Sequence, residues 1–425
     1  MLAKFILVGK ILIIIIQQSW KRLNTSLRSA VHRFTYQPGE QPKSIVVIGA
    51  SFAGYQAARC LANSLPSGYR VVVIEKNTHF QLTWVLPRFC VVDGHDNKAF
   101  IPYGSYMKGP PGSWQWINEA VQSVLPSHSH GGQSGRVQLA SGREIEYEYL
   151  VLATGSSATL PSRVCEESKH DGMKVIAAQR EKITQGKHIV VIGGGPAGIE
   201  LAGDAKTQFP DKEVTLVHSR KTLLNDGFGL KLHDAVCKEM ENLGVNLVLG
   251  EKPVIPDGMN SGDIKLSGGE TIHFDCLIKC VGQKPNSHLV QFLSPDAFSR
   301  SGHIRVRSSL QVVDDAFPHI FAAGDLVESN GIKNARAAFE QAQVVAENVC
   351  RSIQGKSLIE YKAEWWEGTT KITLGIGKSL VYITDRYAEV LFSMKKQKVE
   401  LDSGMVWKHL GQKPFIDPDD KLALV

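Results

Sequence analysis

The sequence predicts an α/β protein in which one doubly wound design is used twice, the second copy inserted within the first, with a smaller α+β domain at the C-terminal end. Three observations carry that prediction. Glycine-rich strand-to-helix turns occur at 46–54 (VVIGASFAG) and at 190–198 (VVIGGGPAG). Behind each lies a matching segment: Ser134 to Gly155 reads SGRVQLASGREIEYEYLVLATG, and Ser261 to Gly282 reads SGDIKLSGGETIHFDCLIKCVG. Each is two strands about a turn, then an apolar strand ending in glycine. The last segment of the first copy, PHIFAAGD, ends at Asp325, beyond the whole second copy.

Residues 1–39 form a leader. It holds Lys4, Lys10, Lys21, Arg22, Arg28 and Arg33, with no acid before Glu40, so of 48 basic residues 42 remain in the body against 42 acidic ones. The net charge of +6 therefore belongs to the leader. A formally neutral body lacks the basic footprint of a nucleic-acid-binding fold, and no nucleic-acid partner is expected. The apolar run Phe5 to Ile16, broken by Gly9 and Lys10, is shorter than the about 20 residues of a spanning helix. It reads as an interfacial anchor or a signal h-region, with Trp20, Lys21 and Arg22 at the headgroup level. An acid-free leader with Ser and Arg also suits mitochondrial targeting. The expectation is membrane association through the N-terminus, facing the cytosol or in mitochondria.

The first domain begins at 40–160. In a strand–turn–helix dinucleotide site glycine permits the tight turn, and the helix N-terminus offers free N–H groups and positive dipole to a pyrophosphate. Gly49, Ala50, Ser51, Phe52, Ala53 and Gly54 supply such a cradle, with Ser51 replacing the middle glycine. Twenty-one residues after Gly54, the strand VVVIEK reaches Glu75, whose carboxylate suits the two ribose hydroxyls of an adenosine. The site is assigned to FAD, with Thr154 and Gly155 ending the apolar strand beside it.

Residues 161–285 form the second domain, for NADH or NADPH, with the full glycine set Gly193, Gly195 and Gly198. Its ribose-side strand, VTLVHSRK, ends in His218 with no acid. Arg220 and Lys221 suit a 2′-phosphate; alternatively they are solvated turn charges. Glu200, just inside the turn, orients a carboxamide or relays a proton, or else steadies the first helical turn by about 0.3–1 kcal/mol. The first domain resumes at 286–352. There Asp325, after Ala322, Ala323 and Gly324, can reach a ribityl hydroxyl, and a helix from near Asn334 directs its N-terminus at the flavin. From 353 to 425 the strands TTKITLGIG, KSLVYITD and YAEVLFSM suggest a mostly antiparallel third domain packed on the other two.

Seven cysteines (60, 90, 165, 237, 276, 280 and 350) form no CxxC pair and no disulfide framework. Cys276 and Cys280 lie in a buried strand and read as packing residues, so no metal site is expected.

Taken together the chain is, by its motifs, two Rossmann-like dinucleotide-binding domains, and it resembles the pyridine-nucleotide-dependent flavin reductases. It is most similar to their AIF-like branch, which contains the ferroptosis suppressor proteins. The resemblance spans about 44–415 and includes KEVTLVHS, LQV with IFAAGD, and WKHLGQKP. It implies that Gly49 to Ala53 hold the FAD pyrophosphate, that Arg88 in LPR is a further FAD contact, and that the strand around Ala120 offers backbone to the adenine. It also implies that Trp407 and Lys408 close over the flavin ring, Lys408 serving with Glu200 as catalytic. Family members reduce membrane quinones with NAD(P)H. Two departures stand out: neither Cys60 nor Cys90 has a partner at the CxxxxC spacing of the disulfide reductases, and Leu2 replaces the glycine that myristoylation needs. The expected protein is an FAD-dependent NAD(P)H oxidoreductase passing two electrons to a quinone-like acceptor without a redox disulfide. Its rivals are a tailoring oxidoreductase acting on a soluble small molecule and a non-catalytic AIF-like signalling protein.

Overall fold

The computed structural model describes residues 2–126, 134–224, 227–254, 261–329, 331–385 and 387–421, and the side chains of residues 1–5, 419 and 421 lie outside that description, Phe5 of the apolar run among them. The chain forms two compact units: Met1–Phe80, Tyr103–Ser157 and Lys284–Gly368 make the first, and Gln81–Pro102, Ala158–Gln283 and Thr369–Val425 the second.

In the first unit a five-stranded parallel sheet runs in the order Ile320–Ala322, Tyr149–Leu152, Lys43–Ile48, Tyr69–Glu75, Trp114–Asn118. Its inner strands are unbroken Val/Ile/Leu runs because helices and loops cover both faces. Val46, Ile48, Val72, Ile74, Leu150 and Leu152 enter one buried cluster with Ile320 and Ala322. The strand at Ile320 pairs in register with Leu150. The late PHIFAAGD segment thus completes the sheet begun at residue 43.

In the second unit four parallel strands run Asn246–Leu249, Glu213–His218, His188–Ile192, Cys276–Lys279. The duplication read from the sequence is the same structure twice. Gly135–Leu139 pairs antiparallel with Glu144–Tyr147 before Tyr149–Leu152 enters its sheet beside Lys43–Ile48. Likewise Gly262–Lys265 pairs with Thr271–Phe274 before Cys276–Lys279 enters beside His188–Ile192. The three C-terminal strands Thr370–Thr373, Lys378–Thr384 and Glu389–Lys395 are antiparallel and belong to this unit.

The leader is a 34-residue helix, Leu2–Thr35. Leu7 and Tyr36 are buried, Tyr36 Oη donates to Tyr69 O at 2.7 Å, and Lys21 pairs with Glu340 at 2.8 Å. Ile13, Ile16, Trp20, Leu23, Leu27 and Phe34 are each more than half exposed. At steps of three, four and seven they form one apolar stripe, which continues well beyond the Phe5–Ile16 run. No helix among the described residues is long and apolar enough to cross a membrane.

Candidate functional site: two dinucleotide cradles

The first cradle is set by close backbone packing. Gly49 adopts φ +91°, and a Cβ there would lie 2.6 Å from Ala153 O and 3.3 Å from the Thr154 Cα. A Cβ on Gly54 would strike Gly49 O, so only glycine lets the helix Phe52–Ala62 start this near the strand. Ser51, its N-cap, makes no side-chain capping bond. Ala50 is held at both ends: its N–H donates to Glu75 Oε2 at 2.5 Å, and its carbonyl accepts from Tyr103 Oη at 3.1 Å. Glu75 Oε1 accepts the Asn77 N–H at 2.8 Å. Burial pushes the Glu75 carboxyl above its ordinary range, opposed by these backbone donors.

Thr154 and Gly155 are clasped to Asn286. Thr154 Oγ1 donates to Asn286 O at 2.8 Å, Asn286 Nδ2 to Thr154 O at 2.9 Å, and Asn286 N to Gly155 O at 2.9 Å. Asp325 is half-buried and accepts from Ser156 Oγ at 3.2 Å. Gly324 before it has φ +82°, donates its N–H to buried Gln341 at 2.8 Å, and would bring a Cβ within 3.1 Å of the Ala53 Cβ. The first unit therefore gathers Gly49–Gly54, Glu75, Thr154–Gly155 and Asp325. Asn334 caps the helix Ala335–Ile353 by accepting the Ala337 N–H at 2.9 Å. Ala120 lies in the link between the strands Trp114–Asn118 and Val121–Pro126, not within a strand, and its carbonyl accepts from Ala140 N at 2.9 Å.

The second cradle repeats the design. Gly193 has φ +121°, a Cβ there would lie 2.7 Å from Cys280 O, and a Cβ on Gly198 would strike Gly193 O. Gly195 is the N-cap of Pro196–Gln208, has no capping side chain, and faces open space where a Cβ would point. His218 Nδ1 accepts the Gly194 N–H at 3.1 Å, while its buried Nε2 has no hydrogen-bond partner among the described residues. Burial and the nearby Arg220 hold His218 below its ordinary pKa. Arg220 is exposed, with Nη1 3.4 Å from Leu224 O. An open helix N-terminus, an orphaned imidazole nitrogen and an exposed guanidinium fit a nucleotide, as the first cradle does with its own acid.

The second unit also joins residues that the sequence reading kept apart. Arg88, fully buried, donates Nε to Asp204 Oδ2 at 2.5 Å, Nη2 to Gly375 O at 3.2 Å and Nη1 to Ile376 O at 3.3 Å. Glu200, one helical turn before Asp204, accepts the Thr373 N–H at 3.0 Å. Burial pushes Glu200 up to about 7, with the Asp204 charge adding to the effect, and pushes Asp204 up to about 6 against the pull of Arg88. Asp204 was missed, although an acid four residues after Glu200 on an apolar helix was a readable signal. Tyr103 and Asn286 carry no sequence signal, since their roles arise from backbone contacts. Trp407 is buried, with its indole N–H donating to Lys98 O at 3.1 Å, and the adjacent Lys408 is exposed.

These paired cradles define a two-nucleotide oxidoreductase. Residues 43–342 match the model of the pyridine nucleotide-disulphide oxidoreductase family, and the chain belongs to that family. Its cofactors are accordingly FAD and, as co-substrate, NADH or NADPH. It is 32% identical over 398 residues to Fe-regulated protein 8 of Mycosarcoma maydis, covering 87% of this chain and 96% of that protein. It is 29% identical over 383 residues to ferroptosis suppressor protein 1 of Xenopus tropicalis, covering 88% and 97%. In fold it is similar to the sulfide:quinone oxidoreductase of Aquifex aeolicus, with a TM-score of 0.69 at 16% identity over 89% of this chain and 94% of that one. The α/β fold and the AIF-like resemblance expected from the motifs are both met.

Proposed function

We propose that this oxidoreductase takes hydride from NADH or NADPH onto FAD and passes two electrons directly to a quinone-like acceptor at a membrane surface. The observation that carries the direct route is the state of the thiols. All seven cysteines are free, and burial pushes Cys60, on the first cradle helix, up to about 11. A thiol so far from ionising is a poor redox relay. FAD, when bound, supplies the two-electron chemistry. Around it the chain's own residues bind and orient: the Gly49–Gly54 turn for the pyrophosphate, Glu75 for the ribose, Asp325 for the ribityl chain, Thr154–Gly155 as the fixed wall. Gly193, Gly195 and Gly198 take the nicotinamide nucleotide's pyrophosphate, and His218 with Arg220 its ribose side. Glu200, with a pKa of about 7, is suited to hold or release a proton near neutrality. Ala120 as an adenine contact and Lys408 as a catalytic residue rest on the family resemblance alone, whereas Arg88, expected to touch FAD, is fully buried against Asp204 and is read as structural. The exposed apolar stripe of the leader supports electron delivery to a lipid-dissolved acceptor.

The test is steady-state NADH and NADPH oxidation by FAD-loaded protein with ubiquinone or menadione. Quinone-dependent turnover is expected. Flavin that bleaches anaerobically with NADPH but reoxidises no faster with quinone would overturn the acceptor assignment.

A further inference from the structure

At one end of the second unit's sheet, His188, His273 and Asp275 gather with a ligand atom from each lying within 4.8 Å of the others. We propose that these three side chains form a binding site for a borderline divalent transition-metal cation, Zn²⁺ above all, separate from the nucleotide cradles.

Backbone pairing fixes the cluster. Asp275 links the hairpin strand Thr271–Phe274 to the parallel strand Cys276–Lys279, and its N–H donates to His188 O at 2.9 Å. Its Oδ2 accepts the N–H groups of Lys187 and His188 at 3.1 and 3.0 Å and meets His188 Nδ1 at 2.9 Å. Its Oδ1 lies 3.4 Å from His273 Nε2. Neighbouring ligand atoms around a tetrahedral Zn²⁺ with bonds of about 2.0–2.1 Å are about 3.4 Å apart, so small side-chain rotations suffice. The imidazoles meet edge to face, with centroids 5.3 Å apart.

A second, independent feature points the same way. His273 Nδ1 lies 2.9 Å from Asp263 Oδ1 on the opposing hairpin strand, so an outer carboxylate fixes the ring while Nε2 faces the cluster. Carboxylate–histidine–metal triads are built this way. The side chains are 38%, 52% and 33% exposed, leaving a path for the cation and room for water in its remaining positions. Two imidazole nitrogens and one carboxylate favour Zn²⁺, Ni²⁺ or Cu²⁺ over Mg²⁺ or Ca²⁺. His188 opens the strand whose far end leads into Gly193, so the site stands roughly 13 Å or more along the sheet from the cradle. The bound cation would tie the hairpin to the parallel sheet without entering the redox centre. No metal was expected from the sequence, because His188 and His273 are distant along the chain.

The test uses full-length, untagged, FAD-loaded protein stripped with chelator, then equilibrium dialysis against micromolar Zn²⁺ with elemental analysis. About one Zn²⁺ per chain is expected, with a raised thermal midpoint and loss of binding as acid protonates the imidazoles. His273→Ala should abolish binding, and Asp263→Asn should weaken it about 10–100-fold while keeping the ligands. An unchanged far-UV circular dichroism spectrum and zinc-free thermal midpoint, beside retained flavin absorbance, report that both units of each variant are folded. A wild-type protein that binds no zinc, or a folded His273→Ala variant that binds as much as wild type, would overturn the site.

Discussion

Arg88 and Asp204 are both fully shielded from solvent and 2.5 Å apart, so each charge is offset chiefly by the other. Removing one partner of such a pair typically costs about 3–5 kcal/mol, because the charge left behind is uncompensated. Arg88→Met should therefore lower unfolding stability by that order in urea titration, whereas Arg88→Met with Asp204→Leu should recover most of it. Equal losses in the single and double variants would deny the pairing its role. Glu200 bears on pH instead. Its carboxyl is raised to about 7, so between the ordinary glutamate value and neutrality the folded chain holds a proton that the unfolded chain has released. The stabilisation is present in acid and is lost as pH rises through about 7. Glu200→Gln cannot ionise and should flatten the fall in thermal midpoint between pH 5.5 and 8, leaving the smaller slope that Asp204 contributes with the same sign. Parallel slopes for variant and wild type would mean that Glu200 does not titrate there.

At the scale of the element, the glycines of the second turn do two different jobs. Gly198 has no room for a Cβ against Gly193 O, whereas Gly195 has open space. Gly198→Ala should thus push the helix Pro196–Gln208 off its strand and lower the thermal midpoint. Gly195→Ala should leave the midpoint and FAD content alone yet raise KM for NADPH about tenfold, equivalent to about 1.4 kcal/mol, by crowding the pyrophosphate approach. A Gly195→Ala variant with an unchanged KM would place the nucleotide elsewhere. Turns of this kind were readable because their glycines answer to local backbone geometry, and the duplicated hairpin-plus-strand was readable because both copies keep the same alternation. Tyr103, Asn286 and the pairing of Asp204 with Arg88 were not, because those contacts join residues far apart in sequence through backbone atoms or buried charge, although Asp204 itself could have been singled out from its spacing to Glu200. Ala120 was expected in a strand; its short link Glu119–Ala120 instead lets the chain turn from the parallel sheet into an antiparallel one.

At the scale of the whole molecule, the proposed membrane contact rests on the leader. Read as a sequence, it looked like a short anchor ending at Ile16; as a helix it carries an apolar stripe to Phe34, while Leu7 and Tyr36 are packed away. At about 1.5 Å per residue such a helix is long enough to lie along a bilayer surface, apolar side down, with the exposed Arg22, Arg28 and Arg33 beside anionic headgroups. Cutting the leader off would also remove Tyr36 and its bonds to Tyr69 and Gly112, confusing membrane loss with damage to the sheet edge. Ile16→Glu with Leu23→Glu avoids this, since both side chains are more than half exposed and charge interrupts the stripe without touching the packed residues. The double variant should keep its flavin, its thermal midpoint and its turnover with a water-soluble acceptor such as 1,4-benzoquinone. It should lose flotation with anionic vesicles and several-fold of its activity toward ubiquinone dissolved in them. If the variant floats like wild type, the stripe is not the membrane contact; if it stops floating but reduces vesicle-bound ubiquinone at the full rate, access to the acceptor does not depend on anchoring.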